Sequence, residues 1–440
     1  MPNPSAKVRT RYGRSRRDHV SRVAQADLNP ERRQFDPIAT LRAASQGRIP
    51  RLLPVKYGRM QRSPFAFFRG AVSIMAADLA RLPNSTLHVQ LCGDAHVQNQ
   101  GSFAAPDGSL VFDFNDFDET IRGPWEWDVK RMATSLVLAG GEIGHGRVAC
   151  GAAVCAFIGA YSRSMAKFSQ EPILAVARHQ IHRQKRVRPI HAALLQSERA
   201  RPLDLLRKLT HAGNHGQRRY RNQHPDSWRI PDTPAKKVLA SLAEYRENLP
   251  PERRYLFDLF RIVDVGFKIV GTGSVGLRNY VLLCEGNGPK DPVFLQIKQE
   301  MPSAYSRFLP EAVYPHQGRR VAEGQRAMQP MSDLLLGWTT IGEHHYVVRQ
   351  LNDHKGAIDL RHLRGEGLKQ LAVVAGELLA RGHARSGDAC QISGYCGAGA
   401  KLAKAMENFA LRYAVQTEAD YATFLAAIKS GKIRAAAGPN

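Results

Sequence analysis

Apolar residues recur along this chain in blocks whose spacing changes with position. From Ser63, the residues Phe68, Ala71, Val72, Met75, Leu79 and Leu82 return every three or four positions, which predicts a helix. Pro83-Asn84-Ser85 ends it. Leu87 to Cys92 is short and apolar and runs into Gly93, the pattern of a buried strand; Leu110 to Phe112 is a second one. Residues 125–168 are rich in Ala and Val and predict helices, whereas 178–235 is basic, His-rich and weakly periodic. Helices resume over 236–263. The period then shortens: Phe267–Val270, Tyr280–Leu283, Val293–Ile297 and His345–Leu351 predict strands joined by glycine-rich turns. Leu368, Leu371, Ala372, Ala375, Leu378 and Leu379 mark an amphipathic helix over 366–383, and 399–428 is helical too. Helices, then clustered strands, then helices predict an α+β fold with a segregated sheet.

This order divides the chain into a basic flexible arm (1–35), a helical unit (36–255), a sheet unit (256–360) and C-terminal helices (361–440). There are 63 Lys and Arg against 39 Asp and Glu, a formal charge of +24, which favours anionic partners such as nucleotides, phosphorylated metabolites or nucleic acid. The basic residues cluster at 7–22 and 178–222, without the interleaved aromatics of a single-strand binder, so nucleic acid is the less favoured partner. No run of about eighteen apolar residues predicts a membrane span, and the N-terminus lacks the apolar core of a secretory signal. Six scattered cysteines form no CxxC pair, which predicts buried thiols in a reducing cytoplasm.

The densest chemistry lies between Gly93 and Asp128. Asp94 follows a strand and a glycine, Asn99 comes five residues later, and a second strand delivers Asp113, with Asp116 and Asp118 beyond. Oxygen ligands at strand ends suit Mg²⁺, which takes one or two carboxylates together with substrate phosphates. Phosphoryl transfer needs such a metal and one carboxylate to orient the acceptor hydroxyl. Asp94 is expected in that last role, with Asn99, Asp113 and Asp116 on the metal.

Gly271, Gly273 and Gly276, with Ser274 among them, spell GxGxxG. The residues that follow alternate like a strand, so this is a strand–loop–strand of the kind that covers ATP phosphates and not a dinucleotide fingerprint. The next strand ends in Lys298, placed to hold the α- and β-phosphates. A carboxylate on a following helix should pair with it; Glu323 is the choice, ahead of Glu300 and Glu311. There is no GxxxxGK[ST]. Asp94-Ala95-His96 with Gly213-Asn214-His215 offers a competing metallophosphoesterase pattern, but its GDxxD is missing.

SPFAFFRGA, CGDAHVQNQG, FDFNDFDET, GPWEWDVKR, GTGSVGLRNY, LQIKQE and HARSGD together resemble Domain of Unknown Function 2252 over residues 30–435. The local pattern also resembles aminoglycoside phosphotransferases and other kinase-like enzymes. Gly93-Asp94 with Asn99 looks like their catalytic loop, Phe112-Asp113 like their metal-binding segment, and Asp128 like the residue that steadies the loop. Cys92 stands where their histidine does, and the glycine loop follows the catalytic Asp instead of preceding it. The resemblance therefore implies a protein-kinase-like, two-lobed, circularly permuted fold. It also implies ATP and Mg²⁺ as cofactors, and phosphotransfer to a small-molecule hydroxyl acceptor. An inactive nucleotide-binding relative is the alternative. In the permuted fold His383, Arg385 and Asp388 would approach the cleft.

Overall fold

A computed structural model describes residues 4–28, 33–181, 187–213, 217–351 and 354–436. The fold is α+β with antiparallel sheets. The largest sheet has six strands, ordered Gly337–Ile341, His344–Gln350, Pro292–Glu300, Asn279–Glu285, Arg261–Lys268 and Ser227–Arg229. A three-stranded sheet joins Lys355–Ala357 to Gln100–Ala104 and Leu110–Phe114, and His88–Leu91 pairs with Ile121–Pro124.

The main core lies among the helices Trp125–Glu142, Arg147–Phe168, Gly367–Ser386 and Ala400–Lys429. Arg147–Phe168 is long and apolar enough to cross a membrane, but it packs against the other three. Its buried Val154, Phe157, Ile158 and Tyr161 belong to this core. A second core fills one face of the large sheet, where Val238, Leu242, Tyr245 and Leu249 meet Val265, Leu282, Leu295 and Val348. The helices between Asp232 and Asp258 therefore pack with the sheet, not with the helical unit that 36–255 was expected to form. Tyr245 fixes them by donating to the Leu335 carbonyl at 2.6 Å.

Three local expectations are corrected. The helix predicted from Ser63 is two, Pro64–Gly70 and Val72–Leu79, because the chain turns where Gly70 presses on Met60. The strand expected from Phe267 starts at Arg261; the polar Asp264 that hid it accepts from Tyr220 N at 2.8 Å and Arg229 at 3.0 Å. The arm expected to be flexible contains the helix Ala6–His19, packed on Ala389–Cys396. Arg9, Arg16, Arg17 and Arg22 are bonded to the fold, whereas Arg11 and Arg14 are exposed. Arg17 donates to the Gly394 and Tyr395 carbonyls and Arg22 to that of Cys396, covering acceptors at the C-terminus of Ala389–Cys396. Arg9 pairs with Asp388 at 3.0 Å.

Candidate active site

The strand His88–Leu91 carries the chain into Cys92, Gly93 and Asp94. Gly93 has φ +86°, and a side chain there would run into the Glu119 backbone. This turn is held from beneath. Asp128, in the first turn of Trp125–Glu142, accepts from Cys92 N at 2.6 Å and Gly93 N at 2.9 Å. His383 meets the same carboxylate at 3.3 Å and bonds Tyr161 at 2.9 Å through its other ring nitrogen. His383 thus lies under the loop and does not line the cleft; Arg385 serves backbone carbonyls, and Asp388 caps Ala389–Cys396.

Asp94 itself lines the cleft, with Arg131 at 2.6 Å from one carboxylate oxygen and His96 at 3.6 Å from the other. Burial pushes His96 down to about 3, so its ring is neutral. Asn99 donates to the carbonyls of Asp94 at 2.8 Å and Asp116 at 3.0 Å, tying the two acidic turns together. Its Oδ1 is buried with no partner, and Oδ1 of Asp116 is buried without a hydrogen bond, facing Lys298 Nζ at 3.6 Å. Two oxygens on one cleft wall that accept no hydrogen bond are what a hard cation would satisfy. Among the described residues no cluster of three or more His, Cys, Asp or Glu forms a cage on its own.

Lys298, on the strand Pro292–Glu300, is 1% exposed. Its Nζ bonds Asp118, 180 positions earlier in the chain, and lies 3.6 Å from Asp116. Burial alone would lower the lysine; Asp116 and Asp118 outweigh it and raise it. Burial would likewise raise Asp118, but Lys298 holds it below the carboxylate range. Burial and Asp118 together push Asp116 up to about 6.

Gly271–Gly276 closes over the same space, and Ser274 donates to Asp118 at 2.7 Å. Arg48 takes the Gly273 and Val275 carbonyls at 2.7 Å each, and Arg59 takes that of Gly271. The backbone N–H groups from Gly271 to Ser274 have no acceptor among the described residues. The cavity has a volume of about 780 Å³, within the range of ligand sites.

The structure thus brings Asp94, Asn99, Asp116, Gly271, Gly273, Ser274 and Lys298 around one cleft. Three expected residues are not on its wall. Asp113 is buried and does not line the cleft; its Oδ1 accepts from Arg381 at 2.7 Å and from Phe114 N. Glu323 pairs with Arg319 at 2.8 Å on the outer face of its helix, Gln317–Met328. Lys298 meets Asp118 and Asp116 instead, and the inner face of that helix offers the buried Arg320 to the carbonyls of Asp118, Thr120 and Met301. Gly276, with φ +92°, turns the loop back beside Arg48. No described residue of the basic stretch 178–222 lines the cleft. Asn214 and His215 lie outside the described residues, as does part of that stretch.

Sequence reasoning missed Arg131, Arg48, Lys56 and Arg69 on or beside this cleft. Arg131 lies in the GPWEWDVKR motif and Arg69 in SPFAFFRGA, whereas Arg48 and Lys56 lie in no motif.

Fold and site define an α+β protein with a lysine–carboxylate cleft under a glycine-rich loop. Residues 48–427 match the Domain of Unknown Function 2252 family, described as "Uncharacterized protein conserved in bacteria", and the chain belongs to that family. No curated protein and no solved structure is significantly similar to it.

Proposed function

We propose that the cleft binds Mg-ATP and transfers its γ-phosphoryl group to a small-molecule hydroxyl, in a permuted kinase-like arrangement within a bacterial cytoplasm. One observation carries this reading: Lys298 reaches Asp116 and Asp118, from a distant part of the chain, under the glycine-rich loop. The surrounding order supports it. Arg261–Lys268, Asn279–Glu285 and Pro292–Glu300 are sequential antiparallel neighbours, the loop joins the first two, and the lysine sits on the third. The sheet segment lies in sequence between helices that share one core, as a circular permutation requires.

In this mechanism Asp94, oriented by Arg131, accepts the proton of the acceptor hydroxyl. The acceptor oxygen bonds to the γ-phosphorus as the bond to the β–γ bridging oxygen breaks, and ADP leaves. Lys298 and the loop amides hold the phosphates. Asn99 Oδ1 and Asp116 would hold the magnesium, which neutralises phosphate charge when bound. The close Arg131–Asp94 pair favours a second reading, nucleotide binding without turnover, because the guanidinium occupies one of the two carboxylate oxygens that could take the acceptor's proton.

Calorimetric titration with ATP tests the binding step. Mg²⁺-dependent binding is expected, and no binding with or without Mg²⁺ would overturn the proposal; binding without turnover across a hydroxyl-acceptor panel would select the second reading. The corrected metal assignment predicts that Asp116→Asn removes the gain in ATP affinity from Mg²⁺. Asp113→Asn should keep that gain, yet it leaves Arg381 buried without its anion and costs about 3–5 kcal/mol of stability in urea unfolding.

A further inference from the structure

The N-terminal wall of the cleft carries cations that phosphate binding through Lys298 leaves unused. Lys298 is neutralised by its own carboxylates; Lys56 is not. Lys56 sits on the helix Leu53–Met60, is 1% exposed, and lines the cavity. Among the described residues it has no hydrogen bond or ion pair. Its charged surroundings are Arg48, of like sign, and Glu119. Glu119 is committed elsewhere: it accepts from Ala304 N at 2.6 Å.

Arg69 and Arg307 line the same cavity, as do Arg48, Arg349 and Lys355. Arg69 gives one Nη to Gln98 at 2.7 Å and leaves Nε buried without an acceptor. Arg307 lies against the Phe308 ring, 4.5 Å from its centroid, with no ion pair among the described residues. An unpaired buried amine is costly, and burial holds Lys56 well below its ordinary value. A methionine would fill the same space without that cost. What relieves it is an anion entering the cleft, and a buried Arg Nε offers a directed hydrogen bond to the same group.

We propose that Lys56, with Arg69 and Arg307, forms an oxyanion subsite, and that the acceptor is a small hydroxyl compound bearing a phosphate or carboxylate. The word acceptor rests on the phosphotransfer reading; the oxyanion subsite does not.

The test is calorimetric titration of the full chain with inorganic phosphate and, separately, acetate, each with and without saturating Mg²⁺ and a non-hydrolysable ATP analogue. Phosphate should bind wild type equally in both states. Lys56→Met should weaken it by about tenfold or more, the contribution of one charged hydrogen bond, while leaving affinity for the analogue within about twofold, well short of that contribution. The more exposed Arg307→Gln should weaken phosphate in the same direction. Acetate binding with the same Lys56 dependence assigns a carboxylate acceptor; phosphate alone assigns a phosphate ester.

Equal phosphate affinity in wild type and Lys56→Met would overturn the subsite. Displacement of phosphate by the analogue would also overturn it, since Lys56 would then serve the nucleotide. Should the analogue fail to bind while phosphate binds through Lys56, the phosphotransfer reading falls and the oxyanion subsite stands. Lys56→Met should also melt above wild type; a lower melting temperature contradicts an unpaired lysine.

Discussion

Lys298→Met is expected to abolish Mg-ATP binding and to lower stability by about 3–5 kcal/mol. The loss has two sources. Asp118 and Asp116 keep their positions but lose the cation that faces them, and Glu300, also buried, loses a positive neighbour. An uncompensated buried carboxylate is far costlier than the pair was worth. The second source is functional, because the phosphates lose their amine. The two separate in the double variant Lys298→Met/Asp118→Asn. Urea unfolding should show most of the stability restored, and calorimetry should show nucleotide affinity still absent. Unchanged Mg-ATP affinity in the single variant would remove Lys298 from the site.

Asp94→Asn is expected to lower turnover by about 10²–10⁴-fold, the usual share of a positioned general base. The KM for ATP should stay nearly constant, because the residue acts on the acceptor and not on the phosphates. Stability falls as well, since Arg131 is 0% exposed and loses its anion. Rates therefore belong at a temperature where circular dichroism shows the variant folded. A variant with wild-type turnover would move the acceptor hydroxyl away from Asp94.

The glycine loop and Lys298 were legible because their signals are local: alternating apolar residues on both sides of GTGSVG, then a lysine at the end of the next strand. Asp113 misled because, directly after the apolar run Leu110–Phe112, it read as a carboxylate delivered by a strand end, as Asp116 did a turn later. What separates them is Arg381, 268 positions away, and no local pattern announces that partner. Glu323 could have been rejected. Val321, Ala322, Gln325 and Met328 define the inner face of its helix, and Glu323 lies outside that stripe. The resemblance-based role of Asp128 matches the hydrogen bonds it accepts from Cys92 and Gly93. His383, which reaches Asp128 from a helix late in the chain, came with no spacing rule to place it. The partners of Arg17 and Arg22, the last carbonyls of Ala389–Cys396, are backbone atoms that composition does not show.

The most direct test of the account is a crystal structure of the protein with Mn²⁺ and a non-hydrolysable ATP analogue, read at the manganese absorption edge. An anomalous peak bounded by Asn99 Oδ1 and Asp116 is expected, with phosphates reaching Lys298 and the Gly271–Ser274 backbone. An analogue bound away from this cleft, or phosphates that do not meet Lys298, would contradict it.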